Sequence, residues 1–231
     1  MDPKKLFLDD RFRGVCAYCG GIGDSRDHVP SRILLDEPYP NNLPVAESCV
    51  QCNKGFSLSE EYLACFIECV IQGTTTSNDN FRPKVVETLK ARPSIRQRIE
   101  RSKRPDENNK MHWVPEAERV EEVVLKLARG HISYELGLQH IEEPEAIEIT
   151  PIPCMSEEQL RLFFSLEDEV GSLYPEIGSR AFINFLSGKP TAYDQWQVVQ
   201  QHRYQYAVGQ SCGDWVKIVL SNYLACRVAW G

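Results

Sequence analysis

Two Cys-x-x-Cys pairs, Cys16-Ala-Tyr-Cys19 and Cys49-Val-Gln-Cys52, constrain this 231-residue chain more than any other feature. A turn of this kind aims two sulfurs at one centre, and two such turns complete the tetrahedral four-thiolate set of a structural zinc site. Zinc binds thiolates, so the metal becomes part of the folding free energy. Cys16, Cys19, Cys49 and Cys52 are therefore the expected ligands of a structural Zn²⁺. Four free buried thiols would explain the composition, but not the paired spacing. With sulfur at all four positions, this metal has no open position for chemistry. Twenty-nine residues separate Cys19 from Cys49, more than the roughly fifteen to twenty of a simple zinc ribbon. The interval has room for a β-hairpin.

That interval carries Asp27-His28-Val29-Pro30 and Asn41-Asn42-Leu43, and Asn53-Lys54 follow the last cysteine. In order and residue type the set resembles the HNH endonucleases, which are built on a ββα-metal finger. The family pattern runs Cys-x-x-Cys, Asp-His-x-x-Pro, Asn-Leu, Cys-x-x-Cys-Asn and then Lys; here Pro30 comes one residue earlier than in that pattern. The resemblance extends to about residue 70 of the chain. It implies metal-dependent hydrolysis of phosphodiester bonds, of DNA more than RNA, since the family mostly cuts DNA. Many small nucleases of this kind act in bacterial defence or mobile elements. His28 would be the general base, because an imidazole titrates near neutrality. Asp27 and Asn53 would supply oxygen ligands to a catalytic Mg²⁺ or Mn²⁺, and Asn42 would hold the His28 ring. Asn41 competes with Asn42 for that role, since the sequence does not fix the hairpin register. Plainer roles exist for each: an exposed turn for Asp27-His28, turn and cap positions for Asn42 and Asn53. The alternative function is a zinc-binding module that docks nucleic acid or a protein partner without cutting.

The remaining chain reads as an accessory α+β region. Hydrophobic residues make up 42% of the sequence, enough for a sizeable core. There is no apolar run of membrane-spanning length, and the polar start through Asp9-Asp10 lacks a signal-peptide pattern. No membrane partner is expected. Cys65, Cys69, Cys154, Cys212 and Cys226 read as small buried hydrophobes, and this usage suits a reducing cytoplasm. A net charge of −7 disfavours a nucleic-acid partner until its distribution is considered. Residues 82–110 hold ten Lys/Arg against four Asp/Glu, whereas residues 116–176 hold four against fifteen. The basic segment is either a phosphate-tracking surface or a solvated helical face.

Ser57-x-x-Glu60 reads as a capping box opening a buried helix to about Gln72, stopped by Gly73. The polar loop after it divides a finger, residues 1–75, from an accessory region, residues 76–231. The latter comprises the basic segment 82–110, the acidic segment 116–176 and a β-rich end, 181–231. A protein partner or a second copy of the chain is expected to dock there. Further helices are expected from Pro115-Glu116 to Gly130 and from Glu157, the second capped by Ser156 with Gln159. A short strand is expected around Ile147–Ile149, and a turn between Gly209 and Gly213. His112, His131, His140 and His202 read as isolated histidines without a site. No repeat or nucleotide-binding glycine loop is present.

Overall fold

The computed structural model describes residues 12–105, 107, 109, 111–166, 175–211 and 213–231. The polar start at residues 1–10, Cys212 and residues 167–174 of the acidic segment lie outside the described residues. The first two strands among the described residues, β1 (Ser25–His28) and β2 (Val45–Ser48), are short and antiparallel and are joined through a 3-10 turn at Arg32–Leu34. Asp27 lies opposite Ala46 and His28 opposite Val45. Helix α1 (Val50–Gly55) follows at once, then α2 (Ser57–Gln72), which ends at Gly73 in the left-handed conformation. Residues 62–69 of α2 are buried all round, as a stretch that is apolar but for Glu68 favours.

Helices α3 (Pro83–Ala91) and α4 (Pro93–Arg101) each carry proline in the first turn, where its missing N–H costs nothing. Their Val85, Leu89, Ile95 and Ile99 pack on Tyr62, Cys65, Phe66 and Cys69 of α2. The opposite faces hold the basic residues, and several of these are already paired. Arg82 is buried and donates to the Ile33 and Leu35 carbonyls and to Asp36. Arg92 pairs with Glu61, Arg98 with Glu116 and Lys103 with Glu100.

A small ribbon, β3 (Lys103–Pro105) with β4 (Met111–Trp113), leads to the longest helix, α5 (Ala117–Leu136). The second half contains a five-stranded antiparallel sheet in the order β5-β9-β8-β7-β6. Its strands are β5 (Ala146–Pro151), β6 (Gln197–Gln200), β7 (Tyr204–Gln210), β8 (Asp214–Leu220) and β9 (Leu224–Trp230). Helix α6 (Glu157–Phe164) and helix α7 (Arg180–Leu186) lie between β5 and β6 in sequence. One core runs through the molecule. It joins Val29, Leu34, Leu43, Ala46 and Leu63 to Val123, Val124, Leu127 and Ile132 of α5, and these to Val208, Val216, Ile218 and Val228 of the sheet. Packing therefore does not break at residue 75; α5 is the layer shared by hairpin and sheet.

The Ser156–Gln159 capping box forms, and the β7–β8 hairpin turns between Gly209 and Gly213. Other expectations are corrected. Helix α5 does not stop at Gly130 but runs to Leu136, with Gly137 in the left-handed conformation after it. Gly130 instead allows a close approach, since a Cβ there would lie 2.6 Å from Val29 Cγ2. Phe56, not Ser57, precedes α2, and the Ser57 hydroxyl donates to the Lys54 carbonyl, so Ser57 and Glu60 form no capping box. Residues 180–186 are helical rather than β. Cys65, Cys69 and Cys226 are buried, whereas Cys154 is exposed. Burial pushes the Cys65 and Cys69 thiols up to about 12. Among the described residues, no helix is long and apolar enough to cross a membrane.

Candidate functional site

The first knuckle is a tight turn in which the Gly20 N–H donates to the Cys16 carbonyl and the Cys16 N–H to Gly21. The Ala17 N–H donates to the Glu47 carbonyl, which ties this turn to β2. The second knuckle opens α1: Cys49 is its N-cap, and the Cys52 N–H donates to Cys49 Sγ at 3.3 Å. That backbone bond, with help from the Cys52 side chain, lowers the Cys49 thiol below its usual range. Burial raises the Cys16 thiol. The ligand atoms of Cys16, Cys19, Cys49 and Cys52 all lie within 4.8 Å of one another. These four cysteines can hold a structural metal ion such as zinc, whose charge would offset the cost of burying the thiolates.

A matched spacing between α5 and the end of β1 decides where the hairpin side chains point. Two residues of strand advance about 6.6 Å and four residues of helix about 6 Å. Accordingly Val29 packs on Gly130, and Asp27, two residues earlier, meets Lys126, four residues earlier. Lys126 Nζ lies 2.6 Å from Asp27 Oδ2 and 2.6 Å from Glu60 Oε1, with 1% of its side chain exposed. The Tyr18 hydroxyl donates to the same Asp27 oxygen at 2.8 Å, and the ammonium lies near the Tyr18 and Phe56 rings. Asp27 is thus an inward, buried and countercharged carboxylate.

His28, between these two inward residues, takes the other face and is partly exposed. Its Nε2 lies 3.3 Å from an Arg32 guanidinium nitrogen, and its Nδ1 is buried with no hydrogen-bond partner. Burial, then the Arg32 charge, holds the imidazole pKa below 6.5, so the ring is neutral at pH 7. Arg32 also lies over the Tyr39 ring, as does Lys84, whose Nζ donates to the Tyr39 hydroxyl at 2.6 Å. This gives the outer face a short row of cationic groups beside a neutral imidazole.

Asn53 donates its amide to Ser25 Oγ at 2.8 Å and to the Arg26 carbonyl at 3.1 Å, fixing α1 on β1. Asn42 is exposed in the turn before β2 and lines a cavity of about 80 Å³ with Tyr134, Arg180 and Tyr206. No bond from Asn42 or Asn41 holds the His28 ring. The five residues named from sequence therefore separate. Asp27 braces the hairpin from within, Asn53 ties α1 to β1 at a partly exposed position, His28 faces outward, and Asn41 and Asn42 lie on the turn.

The donor set expected for a catalytic Mg²⁺ or Mn²⁺ does not fit that ion as arranged. Asp27 Oδ2 already touches an ammonium, so an ion on this carboxylate would lie close to that charge. At about 4 Å and an effective dielectric of about 20, each pair of like unit charges repels by about 4 kcal/mol. A dication would meet that repulsion twice over.

Sequence reasoning did not pick out Lys126, Tyr18 or Arg32, and it read Glu60 as a helix cap in preference to an extra acid reaching the site. The one signal was Lys126 itself, a charge at the edge of the α5 apolar stripe, three residues after Val123 and four before Gly130. Two of the histidines read as isolated are well engaged. His131 is fully buried, bonds the Tyr204 hydroxyl at 2.7 Å and stacks on Tyr206. His140 bridges Glu142 at 2.5 Å and Asp214 at 2.7 Å and stacks on Trp230.

No family model, curated protein or solved structure matches this chain.

Proposed function

We propose that the chain is an endonuclease of the HNH kind, acting on nucleic-acid phosphodiesters, with DNA preferred to RNA. The observation that carries the reading is the neutral, outward His28 imidazole at the end of a strand-strand-helix unit braced by four clustered cysteines, with the Arg32 guanidinium beside it. In this reading His28 Nε2 takes a proton from water as that water attacks phosphorus, the opposite P–O ester bond breaks, and the leaving oxygen takes a proton from solvent. Arg32 swings from the ring to the phosphate oxygens, which gain charge as the bond forms. Asn53 keeps α1 seated on β1, and Asn42 offers an exposed amide at the turn. Arg32 and Lys84 make binding weaken with salt.

The test is cleavage of plasmid, single-stranded DNA and RNA by zinc-loaded protein beside His28→Ala. Nicking should fall by about a hundredfold or more in the variant. It should also decline as pH falls through the depressed His28 pKa, since only the neutral ring accepts a proton. Cleavage unchanged in His28→Ala would sink the assignment.

One observation favours a second reading. Asp27 is committed to Lys126, as suits a finger retained for docking nucleic acid or a protein rather than for cutting. Binding of duplex DNA with no cleavage on any substrate would select it.

A further inference from the structure

Lys126 belongs to α5, outside the hairpin, yet its ammonium lies between two carboxylates of the finger region. Asp27 Oδ2 and Glu60 Oε1 are each 2.6 Å from Nζ, so they can be no further apart than twice that distance. Both residues are more than nine-tenths buried. A cation between two carboxylates this close and this dry offsets their mutual repulsion and the cost of burying them. In a metal-dependent finger that cation is exchangeable and comes from solvent; here it is covalently part of the chain.

We infer that Lys126 is the built-in countercharge of Asp27 and Glu60. The four-cysteine cluster then holds the finger's one exchangeable metal, and Arg32 presents the positive charge that a bound phosphate meets. Three observations agree on this division. The Tyr18 hydroxyl and the Lys126 ammonium both engage Asp27 Oδ2, so a divalent ion on this carboxylate would lie beside a positive charge already in contact with it. Asp27 faces α5 rather than the outer surface of the hairpin. Arg32, by contrast, is on that outer surface, within 3.3 Å of the His28 ring. The inference deepens the proposed nuclease reading by removing the catalytic divalent ion from it, but its first readout does not depend on cleavage.

Zinc-loaded, full-length protein is titrated with substoichiometric Mn²⁺ while its assigned amide proton–nitrogen spectrum is recorded. The amides of Asp27 and Glu60 should keep their intensity, because no paramagnetic ion resides there. Selective broadening of both, reversed by excess Mg²⁺, would overturn the inference without any variant having to fold. In the second arm a short fluorescent DNA duplex is titrated with the protein in Mg²⁺-free buffer and again with millimolar Mg²⁺. Affinity should be the same in both buffers, apart from the ionic-strength effect matched with NaCl. Arg32→Ala should weaken it about tenfold in each. Binding that appears only with Mg²⁺ and ignores Arg32→Ala would also overturn it. A protein that passes both arms yet fails to cut removes the nuclease reading and leaves the role of Lys126 standing.

Discussion

The hairpin and its surroundings contain two places suited to positive charge, and they are assembled in opposite ways. The cysteine cluster draws its four sulfurs from two short turns, and each turn is set by its own backbone hydrogen bonds. The carboxylate cluster draws Asp27 from a strand, Glu60 from α2 and Lys126 from α5, across nearly a hundred positions. The first is a local device that can take a cation from solution. The second exists only once the whole core has closed, and it carries its cation as a side chain.

Removing the exchangeable metal should do the most damage. Structural zinc contributes about 10–16 kcal/mol of apparent binding free energy in isolated fingers. Cys49→Ser or chelation should therefore unfold the hairpin. Hydrogen exchange should show amides of β1 and β2 losing protection well before those of β7–β9. Equal loss in both regions would mean that the two halves of the shared core melt as one unit.

Removing the internal cation comes next. Lys126→Met leaves two buried carboxylates facing each other, and breaking a buried pair from one side costs about 3–5 kcal/mol. Urea denaturation should register that loss as a lower midpoint. Asp27→Asn should cost less, because Lys126 keeps Glu60 as its partner. If the two substitutions cost the same, the three groups do not act as the shared pair described here.

The spacing that brings the second cluster together can be tested without touching a charge. Gly130→Ala places a methyl group against Val29 and should cost about 1–3 kcal/mol. Val29→Ala in the same chain should recover part of that loss, as contacting residues do in a double-mutant cycle. Additive losses would mean that α5 and the hairpin are not in register at this point.

The smallest effect concerns the loop that binds the first knuckle to the sheet. Gln139 donates to the Cys16 carbonyl at 2.5 Å, and the next residue, His140, is held by Asp214 and Glu142. Burial alone would lower the His140 pKa, but hydrogen bonds to Asp214 and Glu142 outweigh it and raise the value above 6.5. A raised histidine contributes stability that is full below about pH 6.5 and lost as pH rises through the folded-state value. Urea midpoints should therefore drift downward over that window. Asp214→Asn should flatten the drift, and an unchanged slope would remove His140 from the account.

How much was legible follows the same division. Cys16, Cys19, Cys49 and Cys52 were readable because a four-residue turn fixes where its sulfurs go. Helices α2 and α6 and the β7–β8 turn were readable because their signals lie within a few residues of one another. Glu60 was misassigned to a cap because sequence gives its distance from Ser57 but not from Lys126. Gly130 was misread as a helix stop because a glycine needed for close packing looks the same in sequence as one needed for termination. Helix α7 was missed because Ala181–Leu186 is too short to separate helical from strand periodicity among apolar residues. The role expected of Asp27 rested on its neighbour, and adjacent residues in a strand face opposite ways.

The unpartnered Nδ1 of His28 follows from this arrangement. An imidazole is commonly aimed by a bond to one of its own nitrogens. Here the aim is inherited, because the residues immediately before and after it are both anchored to the same helix. Swapping the ring for another side chain would leave the direction of that position intact, so the backbone itself would present whatever group replaced it to an arriving ligand.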